Sequence, residues 1–497
     1  MTHPKAPAAW PYWITLSFVP LVVLAVLNGG WWIALIPLWG WGVMPLLDLV
    51  FGRDLSNPDP DTPDADLFWF RLLTWIWFPI EAVLVFMTIW YLTQVSAALV
   101  LEKLAVTFGI GVTTGTVGIV YAHELFHKAN RAERWLGDLL LAMVLYSHFR
   151  TEHLLVHHPH VGTPRDTVTA RYNEGFLRFF PRVLVQGPRS ALRAERALLR
   201  RAGRSAWDRR NPFWRYAALQ GAALGLAYAL GGWAGVGLFA FQALVAVWQL
   251  ELTNYVEHYG LTRRHLGGGR YEPVGPQHSW DSTHRVSNLL LINLQRHADH
   301  HLHPMRRFPL LQFYDAAQVP QLPTGYPPMT ALAMIPPFWR RLMNPKVRAW
   351  RKRHYPDITD WAAYKAGTLP VPEGAVIRAT VSPITDKSLC LVGPEGLSIS
   401  SGINRLRWRH VYSLPLKTLA KIPVWRTFLD MPGAWHERRG RQPPAHLGQR
   451  GGGASPRDRP ARQRHGREGI AGRCGAIRSK GACQARRLGW LAGRGWH

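Results

Sequence analysis

The sequence predicts an all-α membrane protein in which six transmembrane helices carry a cytoplasmic helical cap. No Asp, Glu, Lys or Arg stands between Lys5 and Asp48, and residues 104–122 and 216–250 are equally uncharged. An apolar helix of about 20 residues is long enough to cross the hydrocarbon core of a bilayer. The mean hydropathy of −0.08 conceals these stretches because polar and strongly basic segments dilute them. Clusters of histidine at the ends of the predicted spans indicate the cap.

The uncharged stretches divide into spans at pairs of glycines. The first run is about twice as long as one span and has Gly29-Gly30 near its middle, so we interpret it as a hairpin. Gly231-Gly232 divides residues 216–250 in the same way. Residues 136–146 are too short to cross and predict a re-entrant or interfacial helix. The predicted spans are residues 12–28, 31–50, 72–91, 104–122, 216–230 and 233–254.

The loops predict the orientation. Six spans place both termini on one side of the membrane, together with the arginine-rich segment 123–213. The turns on the other side carry almost no charge, and basic loops are retained in the cytoplasm. We therefore expect a multi-pass protein of the inner membrane whose termini and histidine clusters face the cytoplasm. The chain has only 3 Cys, which fits a reducing compartment.

Histidines mark a candidate metal site. Fifteen of the 22 His lie between His123 and His303. In the first cluster, His123 and His127 are four residues apart, so a helix presents both imidazoles on one face. Four clusters all fall on the predicted cytoplasmic side. Their members are His123, His127, His153, His157, His158, His258, His297, His300 and His301.

Nine clustered imidazoles need a cation, because protonated together they would repel each other. One transition metal accepts about four to six ligands, so nine predict two ions. A structural zinc site is closed at four ligands and often uses Cys, which makes iron that handles O₂ the better match. A metal-handling transporter or sensor is the alternative from another class. It would need ionisable residues inside the spans, where only Glu81 is clearly internal.

The histidine motifs resemble those of the integral-membrane alkane 1-monooxygenase family, within the histidine-box di-iron desaturases and hydroxylases. Three boxes match: HELFHK (123–128), EHLLVHH (152–158) and LQRHADHHLHP (294–304). A fourth string, NYVEHYGL (254–261), distinguishes this family from the desaturases. The resemblance covers roughly residues 10–355. One departure is Val156, where the family usually has Gly.

This resemblance implies that the nine histidines ligate two irons. It also implies hydroxylation of the terminal methyl of a medium- or long-chain n-alkane, with O₂ as co-substrate. Electrons would come from NAD(P)H through rubredoxin reductase and rubredoxin. The nearest alternatives keep the chemistry and change the substrate, as in an aryl-methyl hydroxylase or a fatty-acyl desaturase.

Two further groups of residues are candidates for supporting roles. Four acids inside the boxes are candidates to accept hydrogen bonds from imidazole N–H groups and so to orient the ligands, and a direct role as metal ligands is the less favoured alternative. These acids are Glu124, Glu152, Glu257 and Asp299. At the end of the second span, Trp39, Gly40 and Trp41 are candidates to line a substrate channel and limit chain length. The alternative is that these tryptophans belong to an interfacial aromatic belt.

The C-terminal third does not resemble the rest. We assign residues 1–355 to the membrane-bound hydroxylase domain and residues 356–390 to a linker or the start of a degenerate rubredoxin-like segment, in which Cys390 lacks a Cys-x-x-Cys partner. Residues 391–497 form an atypical Arg/Gly-rich tail that we expect to be disordered or frameshifted. We expect no nucleic-acid partner, although this tail is basic.

Overall fold

The computed structural model describes residues 7–267, 270–359 and 361. Helices dominate these residues, which contain no β-strand and only three isolated bridges. The prediction of a mostly helical chain is therefore confirmed for the described part. Of the predicted linker 356–390, the structure describes residues 356–359 and 361. The rest of that linker and the whole predicted tail 391–497 lie outside the described residues.

Five helices are long and apolar enough to cross a membrane. These helices are longer than the predicted spans. The difference is clearest for the third, which was predicted over residues 72–91 and covers Asp64–Val95. We label them α1 (Trp10–Asn28), α2 (Gly30–Phe51), α3 (Asp64–Val95), α4 (Val100–Phe126) and α8 (Pro212–His258).

The 47-residue helix α8 is interrupted at Gly232, which has φ 57° and ψ −151°. A Cβ on Gly235 would collide with the carbonyl oxygen of Ala227. In a straight helix these two residues would be about 12 Å apart along the axis, so the chain turns back on itself at Gly232. Gly29, between α1 and α2, has nearly the same conformation, with φ 61° and ψ −155°. A left-handed φ of this kind favours glycine at both turns.

Shorter helices form the rest of the described chain. We label them α5 (Arg131–Met143), α6 (residues 148–160), α7 (Phe176–Arg201), α9 (Arg285–Leu290), α10 (His297–Leu302), α11 (Tyr326–Ala333) and α12 (Pro336–His354). Helix α5 covers most of the segment 136–146 that was predicted as a short helix. The Asn130 side chain caps it by accepting from two backbone N–H groups. A Cβ on Gly137 would lie 3.1 Å from the carbonyl oxygen of Ala122, so α5 packs closely against the end of α4.

Helices α4 and α8 meet at glycines. A Cβ on Gly111 would lie 2.5 Å from the Cβ of Val245 and 2.7 Å from the carbonyl oxygen of Gln242. We expect Gly111→Ala to push the two helices apart and to lower the free energy of unfolding by about 1–3 kcal/mol, as over-packing usually does. Thermal unfolding in detergent would measure the loss. The control is Gly221→Ala in α8, where nothing lies within 4 Å of the added Cβ. An equal loss in both variants would contradict the prediction.

Candidate metal centre

Four helical segments bring the nine predicted histidines together. His123 lies in the last turn of α4 and His127 directly follows that helix. The three histidines of the second box lie in α6, and His258 is the last residue of α8. The three histidines of the third box lie in α10. Eight of the nine are buried, and His158 is half-buried. Residues separated by up to 178 positions in the sequence thus share one buried site.

Eight of these histidines form two groups of four. In each group, ligand nitrogens lie within 4.8 Å of one another. In the first group, the Nε2 atoms of His123 and His153 are 2.9 Å apart. In the second, the Nε2 atom of His297 is 3.3 Å from that of His258 and 3.1 Å from that of His301. The first group is His123, His127, His153 and His300, and the second is His157, His258, His297 and His301.

The ninth histidine, His158, lies between the groups but closer to the first. Its Nε2 atom is 2.9 Å from that of His153 and 3.2 Å from that of His300. Residues His153–His157 form a turn of π-helix, in which the His158 N–H donates to the His153 carbonyl. This turn brings His153 and His158, five residues apart, to one side. It leaves His157 free to face the second group.

The imidazoles are suited to bind metal as neutral ligands. Burial, and then the like charge of neighbouring imidazoles, lowers the pKa of six of them well below its usual value. These six are His127, His153, His158, His297, His300 and His301. The Nε2 atoms of His127 and His157 are buried without any hydrogen-bond partner. Buried polar atoms normally have a partner, so these two nitrogens fit a site that receives a cation.

Two contacts orient ligands of the second group. The His157 Nδ1 lies 3.0 Å from the Asp166 carboxylate, which also accepts from the Thr169 hydroxyl. Burial acts to raise the pKa of Asp166, but His157 and these hydrogen bonds outweigh it and hold the pKa below its usual value. The His258 Nδ1 donates to the backbone carbonyl of His278 at 3.3 Å. Such contacts fix the tautomer and the ring orientation of a ligand. Asp166 stands eight residues after the last histidine of its box, so sequence reasoning missed it.

Among the four predicted acids, Glu257 lies nearest to the metal-binding nitrogens. Its Oε2 atom is 3.4 Å from the His297 Nε2, on the side where the second group converges. The Glu257 side chain also lines a cavity beside His123 and His153. This position is closer to that of a ligand than to that of an acceptor behind the imidazole.

The other three predicted acids contact other groups. Glu124 pairs with the buried Lys128 Nζ at 3.0 Å and accepts from the Phe308 N–H. Lys128 also donates to the carbonyl oxygen of Arg306, so this pair ties the loop after the third box to α4. Glu152 accepts from the Thr167 hydroxyl at 3.0 Å. Asp299 binds Arg306, Tyr314 and the Nδ1 of His303, a residue outside the nine.

Two adjacent cavities lie beside the histidines. They share Gly115, Val120 and Thr253. The outer cavity is lined by Gly40 and Trp41, and the inner one reaches His123, His153 and His297. Trp39 does not line either cavity, because its Nε1 donates to the Ser17 hydroxyl. Two of the three predicted channel residues therefore face this space.

Comparison with known proteins identifies the family. The fatty acid desaturase family matches residues 96–333, which include all nine histidines. Alkane 1-monooxygenase 2 of Pseudomonas aeruginosa is 38% identical over 71% of this chain and 88% of its own length. The chain belongs to the alkane 1-monooxygenase family. Alkane 1-monooxygenase 1 of the same organism is 41% identical over 62% of this chain and 81% of its own. Alkane 1-monooxygenase 2 of Alcanivorax borkumensis is 39% identical over 63% and 84%.

Membership of the alkane 1-monooxygenase family confirms the resemblance predicted from the four histidine motifs. These motifs all lie inside the matched residues. They contribute all eight histidines of the two groups and His158 between them. The candidate metal centre therefore consists of residues from the motifs that carry the resemblance.

Proposed function

We propose that this chain is an alkane 1-monooxygenase that converts the terminal methyl of a medium- or long-chain n-alkane to a primary alcohol. The reaction would consume O₂, two electrons and two protons and release one water. The observation that carries this proposal is a pair of adjacent, mostly apolar cavities, the inner of which is lined by histidines of both groups. The identity to alkane 1-monooxygenases over most of their length supports the same activity.

Two irons would be held by the nine histidines, with His158 beside the first group. Bound iron would supply the activation of O₂ that an unactivated methyl requires. The chain's own residues prepare the site. The low pKa of the buried imidazoles keeps them neutral, so that their lone pairs remain available. Asp166 fixes the orientation of His157, and Glu257 places a carboxylate at the end of the inner cavity.

The cavity suits an alkane because its polar wall groups bind each other. Gln249 donates to the carbonyl oxygens of Gly111 and Val112 and accepts from the Thr116 hydroxyl. The Thr253 hydroxyl donates to the Gln249 carbonyl. An alkane in the outer cavity therefore leaves the side chains of Gln249, Thr116 and Thr253 with their partners. The wall can hold the chain by apolar contact and direct its end to the histidines.

The membrane topology extends this proposal. The turn at Gly232 would divide α8 into two spans, giving six crossings in total. With six crossings, both termini and the histidines lie on one side, and the arginine-rich segment 123–213 favours the cytoplasm of an inner membrane for that side. Reduced rubredoxin, supplied by a rubredoxin reductase and NAD(P)H, would then reach the site from the cytoplasm. The alkane would enter from the bilayer.

The activity can be tested in membranes that contain the full chain. They would be supplied with rubredoxin, its reductase, NADH, O₂ and either octane or hexadecane, and the products would be identified by mass spectrometry. We expect a 1-alkanol that forms only when O₂ is present. An alkene, or turnover of an aryl-methyl compound alone, would favour the alternative substrates. Absence of a 1-alkanol from any chain length would refute the proposal.

Gly40 provides a test of the channel. A Cβ on Gly40 has only the ring of Phe18 nearby, at 3.8 Å, so space beside it is open. We expect Gly40→Trp to fill the outer cavity and lower the turnover of the longest accepted alkanes about tenfold or more, since each methylene that loses its place in an apolar pocket costs about 1–3 kcal/mol. Short alkanes should be affected less. Product profiles over a series of chain lengths would measure the shift. Gly221→Trp, at an open helix surface, is the control. An unchanged profile would exclude a role of Gly40 in chain-length selection.

A further inference from the structure

Helix α7 presents an unusual row of arginines. Its 26 residues contain seven Arg and a single acid, Glu195. Four of the arginines are exposed and recur at helical spacing, so they share one side of the helix. We call this row the basic face; it consists of Arg189, Arg193, Arg196 and Arg200.

The basic face has no partner of its own. Among the described residues, none of its four arginines forms an ion pair or a side-chain hydrogen bond. Glu195, the one acid of α7, is buried at 7% exposure, and among the described residues no ion pair links it to this row. Like charges at this spacing repel each other and destabilise a helix. An anion that binds along the row would remove this cost.

Ring contacts near both ends of α7 place this helix beside the membrane helix α8. At its start, the rings of Phe176 and Phe179 lie 5.7 and 5.3 Å from that of Tyr255, three residues before the end of α8. Six residues after its end, the ring of Trp207 lies 5.8 Å from that of Trp214, near the start of α8. Since α8 turns back at Gly232, both of its ends lie on the same side. Helix α7 therefore runs along the bases of the spans.

Exposed apolar residues precede the basic face along α7. Leu177 is 75% exposed in the first turn, and Val185 is 49% exposed one turn before Arg189. Trp207, beyond the helix, is 72% exposed. Exposed apolar residues next to a basic row are typical of helices that lie in a membrane interface. A soluble acidic protein would satisfy the arginines but would leave the apolar residues unexplained.

We propose that the basic face of α7 binds the phosphate groups of anionic phospholipids in the leaflet on the side of the histidine clusters. The apolar residues would lie at the acyl boundary, and the long arginine side chains would reach the headgroups. This helix also packs against the start of α6, the helix that carries the second histidine box, because a Cβ on Gly187 would lie 3.7 Å from the His148 Nε2. Lipid bound to α7 would thus stabilise the packing of this helix against α6, which carries three of the nine histidines.

Native mass spectrometry of the purified full chain tests the proposal. The protein would be mixed with phosphatidylglycerol and phosphatidylcholine, and the retained lipids counted. We expect retention of phosphatidylglycerol, which Arg193→Gln with Arg196→Gln weakens by about fivefold for each arginine removed. Neither side chain has a partner, so the variant should fold; an unchanged elution profile would check this. Arg189→Gln with Arg200→Gln is a second pair on the same face.

A matched control removes the same charge from α12, through Lys352→Gln with Arg353→Gln. This pair should retain phosphatidylglycerol as the unmodified chain does. Equal losses in the control, or no loss in the α7 pairs, would overturn the proposal. If the α7 pairs retain the lipid but slow electron delivery from rubredoxin, the basic face binds a protein and the proposal is wrong. Lipid counting needs no turnover, so this result is independent of the proposed hydroxylase activity.

Spin labels test the apolar part of the same helix. Cys390, Cys474 and Cys483 would be replaced with Ser, and Leu177→Cys or Lys352→Cys introduced for labelling in bilayers containing phosphatidylglycerol. We expect the label at position 177 to collide more often with O₂ than with a water-soluble nickel chelate, and the label at 352 to show the reverse. Equal exposure of both labels to the chelate would overturn the interfacial position of α7.

Discussion

We expect His300→Ala to abolish nearly all hydroxylation and to remove iron from the first group of histidines. The His300 ring lies 4.4 Å from that of His123 and 4.7 Å from that of His127, and its Nε2 is 3.2 Å from that of His158. Removing a residue that only supports a ligand typically costs about 10–100-fold in metal affinity or activity. Removal of a ligand itself should therefore exceed about 100-fold. Product formation from octane and iron content by elemental analysis would measure the two effects.

His303→Ala is the matched control for this experiment. His303 follows α10 directly, but its side chain is 49% exposed and its Nδ1 contacts Asp299 rather than any of the nine. We expect this variant to keep both irons and most of its activity. Full activity in His300→Ala, or the same loss in both variants, would contradict the assignment of the first group.

The sequence alone predicted the location of the site but not its internal arrangement. Uncharged runs predicted the helices that are long enough to cross a membrane. The nine histidines at their ends predicted a candidate metal site, and eight of them form the two groups that could hold a metal ion. The turn at Gly232 was also predictable, since a glycine pair interrupts the uncharged run there. Six spans as such remain a prediction, as does the cytoplasmic position of the histidines.

The division of the second box between two groups could not be predicted. In an α-helix, His153 and His158 would point about 140° apart, whereas His153 and His157 would share a face. The π-turn over His153–His157 reverses this relationship. Turns of this kind are common at functional sites, but no residue type in HLLVH requires one.

The roles of the acids inside the boxes depended on tertiary contacts. Proximity in sequence suggested four acids that orient imidazoles, yet Glu124 contacts Lys128 and Glu152 contacts Thr167. The carboxylate that contacts a ligand Nδ1 is Asp166, which the fold brings back over α6. A short loop can place such a residue at many positions, so spacing alone carries no signal for it.

Asp166→Asn should weaken iron binding in the second group about 10–100-fold. The carboxylate of Asp166 accepts from His157 at 3.0 Å and from the Thr169 hydroxyl at 2.5 Å. An amide oxygen can still accept these bonds, but it lacks the negative charge that makes the imidazole a stronger donor to a metal. Asp166→Ala removes both the charge and the hydrogen bond, so we expect a larger loss. Titration with a chelator would show one of two irons released early in each variant.

The control for Asp166 is Asp138→Asn. Asp138 is as buried as Asp166, at 1% against 4% exposure, but it pairs with Arg150 and Arg215 rather than with a histidine. Losing its charge leaves two arginines without their anion and should lower thermal stability, while both irons remain bound. If both variants lost iron in proportion to their loss of thermal stability, the iron loss in Asp166→Asn would result from general unfolding. Iron loss in Asp166→Asn at unchanged unfolding temperature would instead require its contact with His157, because that contact alone links the acid to the metal-binding nitrogens of the second group.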